Sequence, residues 1–335
     1  MGIIKESFDT NRQILGKILP LDTPFTVIVD ASEVCNLKCN YCFRSDRNKD
    51  NWGYAKALNK MEWNTFVKII NQIKEFPQSV KQISLSCHGE PLTNSNLAKM
   101  VSHIKSEGIK SRVSIHTNAT LLTETYAREL AQSGIDRIVV SLQGLNSEAY
   151  ERICGVKIDY NKFYNNLKLL YGYKGEKTQI YIKIANTALC EGEEQEFYDM
   201  FTPIADRVFI EQIVPIWKNV ASAGVNTDIQ NKYGKKFKKQ KCCPLIFHTI
   251  VVLPNGDVYP CTQLLSEEKL GNINENSLLY YWQSDKKREL LKQQLELRSP
   301  LMCRDCSILN NSIYSEADMI DEYRLEILER MKIKE

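Results

Sequence analysis

The sequence lacks the features that would place it in a membrane or outside the cell. Nowhere in its 335 residues is there an uninterrupted apolar run of about 18, the length a helix needs to span a bilayer. Its first residues, MGIIKESFDTNRQILGKILP, hold neither the long apolar stretch nor the small-residue cleavage site of a secretory signal. We therefore expect no membrane contact and a cytoplasmic location. An excess of one charge is missing too: 44 Lys and Arg stand against 41 Asp and Glu, a net of +3. That balance leaves no basic footprint for nucleic acid and turns attention to a small molecule, or a peptide, as partner. There is no internal repeat and no low-complexity tract, and 43% hydrophobic residues suffice to bury a full core.

What the chain has is cysteine, 11 in all, and clustered. In a reducing compartment and a chain this long, such clusters read as metal ligands or reactive thiols rather than a disulfide framework. Cys35, Cys39 and Cys42 fall within CNLKCNYCF, and no fourth cysteine lies near; the next, Cys87, comes a whole βα unit later. A structural zinc site wants four closed ligands. Three thiolates suit a cubane of four irons, because they leave one iron open.

Residues 23–211 alternate short β-rich runs with amphipathic stretches. FTVIVDA, QISLSC, RVSIHT, RIVVSL, IYIKIA and RVFIEQ read as six strands. In NKMEWNTFVKIINQIKEF, the residues Trp63, Phe66, Val67, Ile70 and Ile73 share one helical face, with Asn59 and Glu62 spaced as a cap. Gly134 is placed to end the helix of LLTETYARELAQSG. Repeated βα units give a parallel sheet, open or barrel-like, with its reactive site at the C-terminal strand edge, and the three cysteines follow the first strand. Residues 1–22 form an N-terminal extension, 212–241 a linker ending in the basic run KKFKKQK, 242–310 a small second domain and 311–335 a C-terminal helix.

The CxxxCxxC spacing, with Tyr41 before the last cysteine and a βα series around it, resembles the radical S-adenosylmethionine (SAM) superfamily. The resemblance implies an α/β fold built as a partial (β/α)6 TIM-like barrel, and a [4Fe–4S] cluster whose open iron is chelated by the amino and carboxylate groups of SAM. HGEP, residues 88–91, resembles the family's GGEP motif, with His88 in place of the first glycine; Gly89 and Glu90 would then hold the SAM amino group. HTNAT resembles its TNG-type turn and SLQG its SLDG-type turn, which makes Asn118 and Ser141 candidates for the ribose and carboxylate. Arg152 would pair with the carboxylate, since a guanidinium matches it bidentately. Tyr41 and Phe43 complete the expected SAM-binding set.

Cys243, Cys261, Cys303 and Cys306 form C-x17-C and CxxC pairs, with a hairpin turn expected at Asn255-Gly256. By spacing alone, four cysteines in two pairs also make a zinc ribbon. With CP at 243–244, the Gly256-x4-Cys261 step and LGNI at 270–273, the segment resembles the SPASM or twitch domain, which implies a β-hairpin and helix carrying a second, auxiliary [4Fe–4S] cluster. Cys243 rather than Cys242 matches the ligand position, so Cys242 is spare.

In that family a reduced cluster cleaves SAM, and a 5′-deoxyadenosyl radical removes a substrate hydrogen; an electron donor such as flavodoxin or ferredoxin supplies the reductant. A fully ligated auxiliary cluster suits electron transfer, so the resemblance favours dehydrogenation of an alcohol on a small sugar- or cyclitol-like substrate. Epimerisation, with Cys242, Cys154 or Cys190 as hydrogen donor, is an alternative. Modification of a ribosomal peptide is another, although the 20-odd residues before the first strand are too few for a leader-recognition domain. A zinc-binding scaffold is the non-enzymatic reading. Cys87 reads as a small buried apolar residue, and His248, in LIFHTIVVL, as a core or interface histidine.

Overall fold

The computed structural model describes residues 2–6, 12–43, 58–214, 230–263, 268–304, 306 and 308–333. The six expected strands form as β2 (Thr26–Val29), β3 (Gln82–Ser84), β4 (Arg112–Thr117), β5 (Arg137–Leu142), β6 (Gln179–Ala185) and β7 (Arg207–Glu211), following a short β1 (Ile3–Ile4). From β2 to β7 each strand pairs in parallel with its neighbour in sequence, and β1 adds in parallel to β7. This is the parallel half of a (β/α) barrel. Three more strands, β8 (Thr249–Val252), β9 (Asp257–Tyr259) and β10 (Gly271–Asn272), extend the same sheet past β2. β8 pairs with β2 in parallel, whereas β9 and β10 follow as antiparallel ribs. The hairpin turn falls where expected, with Gly256 at φ +86, a conformation open to glycine because it has no Cβ.

Strand alternation separates two environments. Val27, Val29, Ile83, Leu85, Val113, Ile115, Ile138, Val140, Ile182 and Val208 lie in the main apolar core, the outer face that the helices cover. The short α1 (Leu15–Ile18) precedes the barrel; α2 (Trp63–Ile73), α3 (Leu97–Ser106), α4 (Glu124–Gln132), α5 (Ser147–Cys154), α6 (Tyr160–Tyr173) and α7 (Glu193–Phe201) accompany it. α2 buries Phe66, Ile69, Ile70 and Ile73, the one-sided spacing that a helix on a sheet requires. α4 is capped by Thr123, which accepts from the Tyr126 amide, and Gly134 follows it at φ +84. The cap expected of Asn59 and Glu62 does not form. Glu62 makes no side-chain cap bond, and the Asn59 backbone instead accepts from Glu33 N at 2.9 Å, because this stretch bridges to the chain just before the first cysteines.

The run LIFHTIVVL divides. Pro244 opens a helical turn, α8 (Leu245–His248), and the strand begins only at Thr249, as proline's fixed φ and missing amide favour. Among the described residues, the α-helices that follow are α9 (Leu278–Gln283), α10 (Asp285–Leu295), α11 (Ile308–Asn311) and α12 (Arg324–Ile333). With Leu15, Leu19, Ile246 and Phe247, α10 and α12 build a second core around Leu291, Leu295, Ile327 and Met331. Among the described residues, no helix is long and apolar enough to cross a membrane.

Candidate functional site

The loop after β2 carries Cys35, Cys39 and Cys42, and backbone bonds hold it on two sides. Lys38 N and Asn40 N donate to the carbonyls of Cys154 and Ile153 at 3.1 and 2.9 Å, and Glu90 N donates to Val34 O at 2.8 Å. The last turn of α5 and the loop after β3 thus clamp the cysteine loop. Gly89 is needed for this approach: a Cβ there would meet Ser32 O at 2.2 Å and Val34 O at 2.6 Å, both backbone. We expect Gly89→Ala to push the two loops apart and to weaken SAM binding at least tenfold, measured by equilibrium dialysis. Unchanged affinity would mean that the loops yield without loss.

Glu90 sits at the centre. Its carboxylate accepts from Thr117 Oγ1 at 2.5 Å, Asn118 N at 2.6 Å and Leu92 N at 3.0 Å. Burial nevertheless pushes it up to about 7, since three donors only partly replace water around a charge. A cationic amino group brought to this carboxylate would restore the balance. Asn118 lies beside it, its amide donating to Asn36 Oδ1 at 3.0 Å and approaching Cys35 Sγ at 4.0 Å. Tyr41 donates to Gln143 Oε1, and burial raises its hydroxyl above the usual phenol range. Ser141 lies on β5 in register with Lys183 of β6. Arg152 is not part of this group; it lies exposed on the last turn of α5 and donates to Cys190 Sγ at 3.3 Å.

The three cysteines fit a metal cluster by their chemistry. Burial, with Glu90, Cys39 and Cys42 adding negative charge, pushes the Cys35 thiol up to about 12. Cys39 is raised too, by a hydrogen bond with Cys154 (Sγ to Sγ 3.7 Å) and by burial. Thiolates crowded in this way need cations to exist, and iron supplies them. The second set fits equally well. Cys243, Cys261, Cys303 and Cys306 all line one cavity of about 40 Å³. Burial pushes Cys243 up to about 11 and Cys303 up to about 12, and raises Cys261 and Cys306. Lys287, buried behind Cys261, is pushed down to about 7 by loss of water, with the Cys261 charge opposing.

The adjacent Cys242 does not line that cavity. It has no accessible surface and lies in the second apolar core, its thiol donating to Gln294 O at 3.4 Å. Its burial in the second core and its absence from the cavity lining do not favour the expected role of Cys242 as hydrogen donor. Cys154 is likewise fully buried, against Cys39. Cys190 is exposed and meets Arg152.

His88, which stands where the family motif has glycine, connects the two centres. Its ring packs edge-on against Phe43, centroids 5.7 Å apart, and Phe43 follows Cys42. Nε2 lies 3.0 Å from Thr262 O, beside Cys261; a carbonyl only accepts, so Nε2 carries the proton. Nδ1 and the His88 amide both face Asp30 Oδ2, at 3.3 and 3.2 Å. Cys87 Sγ is 3.6 Å from Nε2. Asp30, Cys87 and His88 bring three potential ligand atoms within 4.8 Å. The buried Asp30 Oδ1 has no hydrogen-bond partner. The motif's departure at His88 is the one signal in the sequence that pointed to this bridge.

Two domains match known families. Residues 30–187 match the radical SAM superfamily and residues 242–307 the SPASM iron–sulfur cluster-binding domain. The protein is a radical SAM enzyme with a SPASM-type C-terminal domain, and its cofactors are SAM and [4Fe–4S] clusters in both parts. Over 119 residues it is 40% identical to the probable GTP 3′,8-cyclase of Methanococcus maripaludis, a match spanning 36% of each chain, so only about a third of that relative is covered. A longer match, 24% identical over 336 positions and covering 86% of this chain and 88% of the other, is to the tungsten-containing aldehyde ferredoxin oxidoreductase cofactor-modifying protein of Pyrococcus furiosus. Among solved structures, BtrN in complex with AdoMet and 2-DOIA aligns with TM-score 0.55 at 21% identity, covering 88% of this chain and 96% of that one. Streptococcus suis SuiB bound to precursor peptide SuiA aligns with TM-score 0.63 at 19% identity, covering 92% and 77%. At such identities the likeness is one of fold.

Proposed function

We propose that this enzyme dehydrogenates an alcohol on a small, polar, sugar- or cyclitol-like substrate, with the auxiliary cluster accepting an electron. The reading rests on the closed ligand set at Cys243, Cys261, Cys303 and Cys306: four thiols around one cavity leave no iron of a cubane open to substrate. Such a centre suits electron transfer. When bound, the first cluster and SAM together supply a radical that takes hydrogen from the substrate. The protein's part is to hold the SAM amino group at Glu90 and the ribose side near Asn118, and to keep water from the reacting carbon. Tyr41, Phe43 and Ser141 would line the same SAM site; Arg152, exposed on α5, would reach the carboxylate only by leaving Cys190. An external one-electron donor of the flavodoxin or ferredoxin type would reduce the first centre.

The test is anaerobic turnover with SAM, dithionite and a panel of free and phosphorylated polyols and cyclitols in deuterated water. We expect 5′-deoxyadenosine in step with a carbonyl product. Recovered substrate carrying deuterium at an inverted carbon would instead establish epimerisation, and 5′-deoxyadenosine coupled only to an added peptide would establish peptide modification.

A further inference from the structure

The inward face of the barrel carries a second group of charges, apart from the Glu90 cradle. Lys183 Nζ on β6 lies 2.6 Å from Glu211 Oε2 at the end of β7. Lys232 Nζ reaches the other oxygen at 3.1 Å, where Tyr181 also donates, at 3.2 Å. One carboxylate therefore meets two ammonium groups. His116 on β4 is the nearby imidazole, and the Lys183 and Lys232 charges act on it. The Glu90 carboxylate is engaged with Leu92, Thr117 and Asn118, not with these lysines. Among the described residues, two lysines here face one carboxylate; burial lowers the Lys183 pKa, and the Glu211 charge opposes that.

That charge faces open space. His116 is exposed although β3 and β5 are the neighbours of its strand in the sheet and helices cover the opposite face. Register puts His116 level with Val139 and Tyr181, and puts Ser141, Lys183 and Phe209 in the row above. Accessible surface in the middle of a sheet opens only into the barrel. Lys183 and Lys232 keep 18% and 22% of their side-chain surface, whereas Glu211 keeps 8%. The cations are presented and the anion is withdrawn behind them. An excess cation held in poor contact with water is costly unless paired, and an anionic ligand would pair it.

We propose that Lys183 and Lys232, tethered by Glu211, form a subsite for an anionic group, phosphate or carboxylate, on the substrate, and that His116 offers a hydrogen-bonding partner to a neighbouring hydroxyl. The inference deepens the dehydrogenase reading, on which only the hydroxyl part rests: the substrate becomes a hydroxylated compound bearing a phosphate or an acid group.

Binding can be measured without turnover, by anaerobic calorimetry on the cluster-loaded enzyme saturated with SAM, using inorganic phosphate, glucose 6-phosphate, glucuronate and glucose as probes. We expect the anions to bind at least tenfold more tightly than glucose, and the order of phosphate and glucuronate to separate the two anion types. Lys183→Met and Lys232→Met should each weaken anion binding about tenfold, Lys183→Arg should largely restore it, and Glu211→Gln should tighten it several-fold by removing the opposing charge. Melting temperatures and SAM affinity are measured for each variant. Anions that bind no better than glucose, or equally well to both methionine variants, overturn the proposal. So does Lys183→Met weakening SAM as much as phosphate, since the ammonium would then belong to the SAM carboxylate. If anions bind as expected but no carbonyl product forms from any phosphorylated alcohol, the subsite stands and the dehydrogenase reading falls.

Discussion

With Cys35, Cys39 and Cys42 changed together to alanine, the anaerobically reconstituted protein should form 5′-deoxyadenosine no faster than background, a loss of roughly 10³-fold or more. The size of the effect follows from the ligand count. Three thiolates hold the first centre, with no fourth cysteine in the loop to stand in. The fold should survive, because the loop is pinned by main-chain bonds from Lys38, Asn40 and Glu90, none of which needs a thiol. Iron should therefore fall by about half, from roughly eight per chain to four, while the melting temperature of the apo-protein changes little. Sustained SAM cleavage by the triple variant, with iron unchanged, would show that another set of residues holds the radical-forming centre.

Changing Cys303 and Cys306 to alanine should have the opposite pattern. Iron again falls toward about four per chain, but SAM cleavage continues without oxidised product, because the radical can still be made while its electron has no acceptor. The separation is physical. The four thiols lie against the second core, with Ile246 and Met302 beside them, whereas the first centre sits on the main core. The sheet pairing of β8 with β2 does not depend on either changed residue. Cleavage and product lost together would mean that the two centres fold or work as one unit, and product formed at the normal rate would mean that the electron leaves by another route.

Much of this architecture could be read before any coordinates. The six parallel strands were legible because each carries β-branched residues, and amphipathic helices separate one from the next. The hairpin was legible because Asn-Gly permits its turn. What escaped was the partner of β8. TIVV is buried along its whole length, so it has no alternation, and its pairing with Thr26–Val29 spans more than 200 residues of sequence with no local signal to announce it. The cap at Glu62 failed for the same reason: a tertiary contact with Glu33 had prior claim on Asn59.

The lumen charges were also missed, although they leave a trace. Ser114 and His116, Ser141, and Tyr181 and Lys183 are polar positions in apolar strands at a spacing of two, the mark of an inward face that is not simply packed. Glu211 and Lys232 carry no such mark, because one closes a strand and the other comes from the connecting segment beyond it.

By itself, the sequence determined the chemistry: cysteine spacing within a few residues sets how many thiolates one metal centre can have, and the adjacent motifs set what can surround it. Those are local relations, fixed by covalent distance. Only the tertiary structure decided that Arg152 stands with Cys190 and that two lysines share one carboxylate inside the barrel. Such choices turn on side-chain direction and burial, which arise when distant segments pack and desolvate one another.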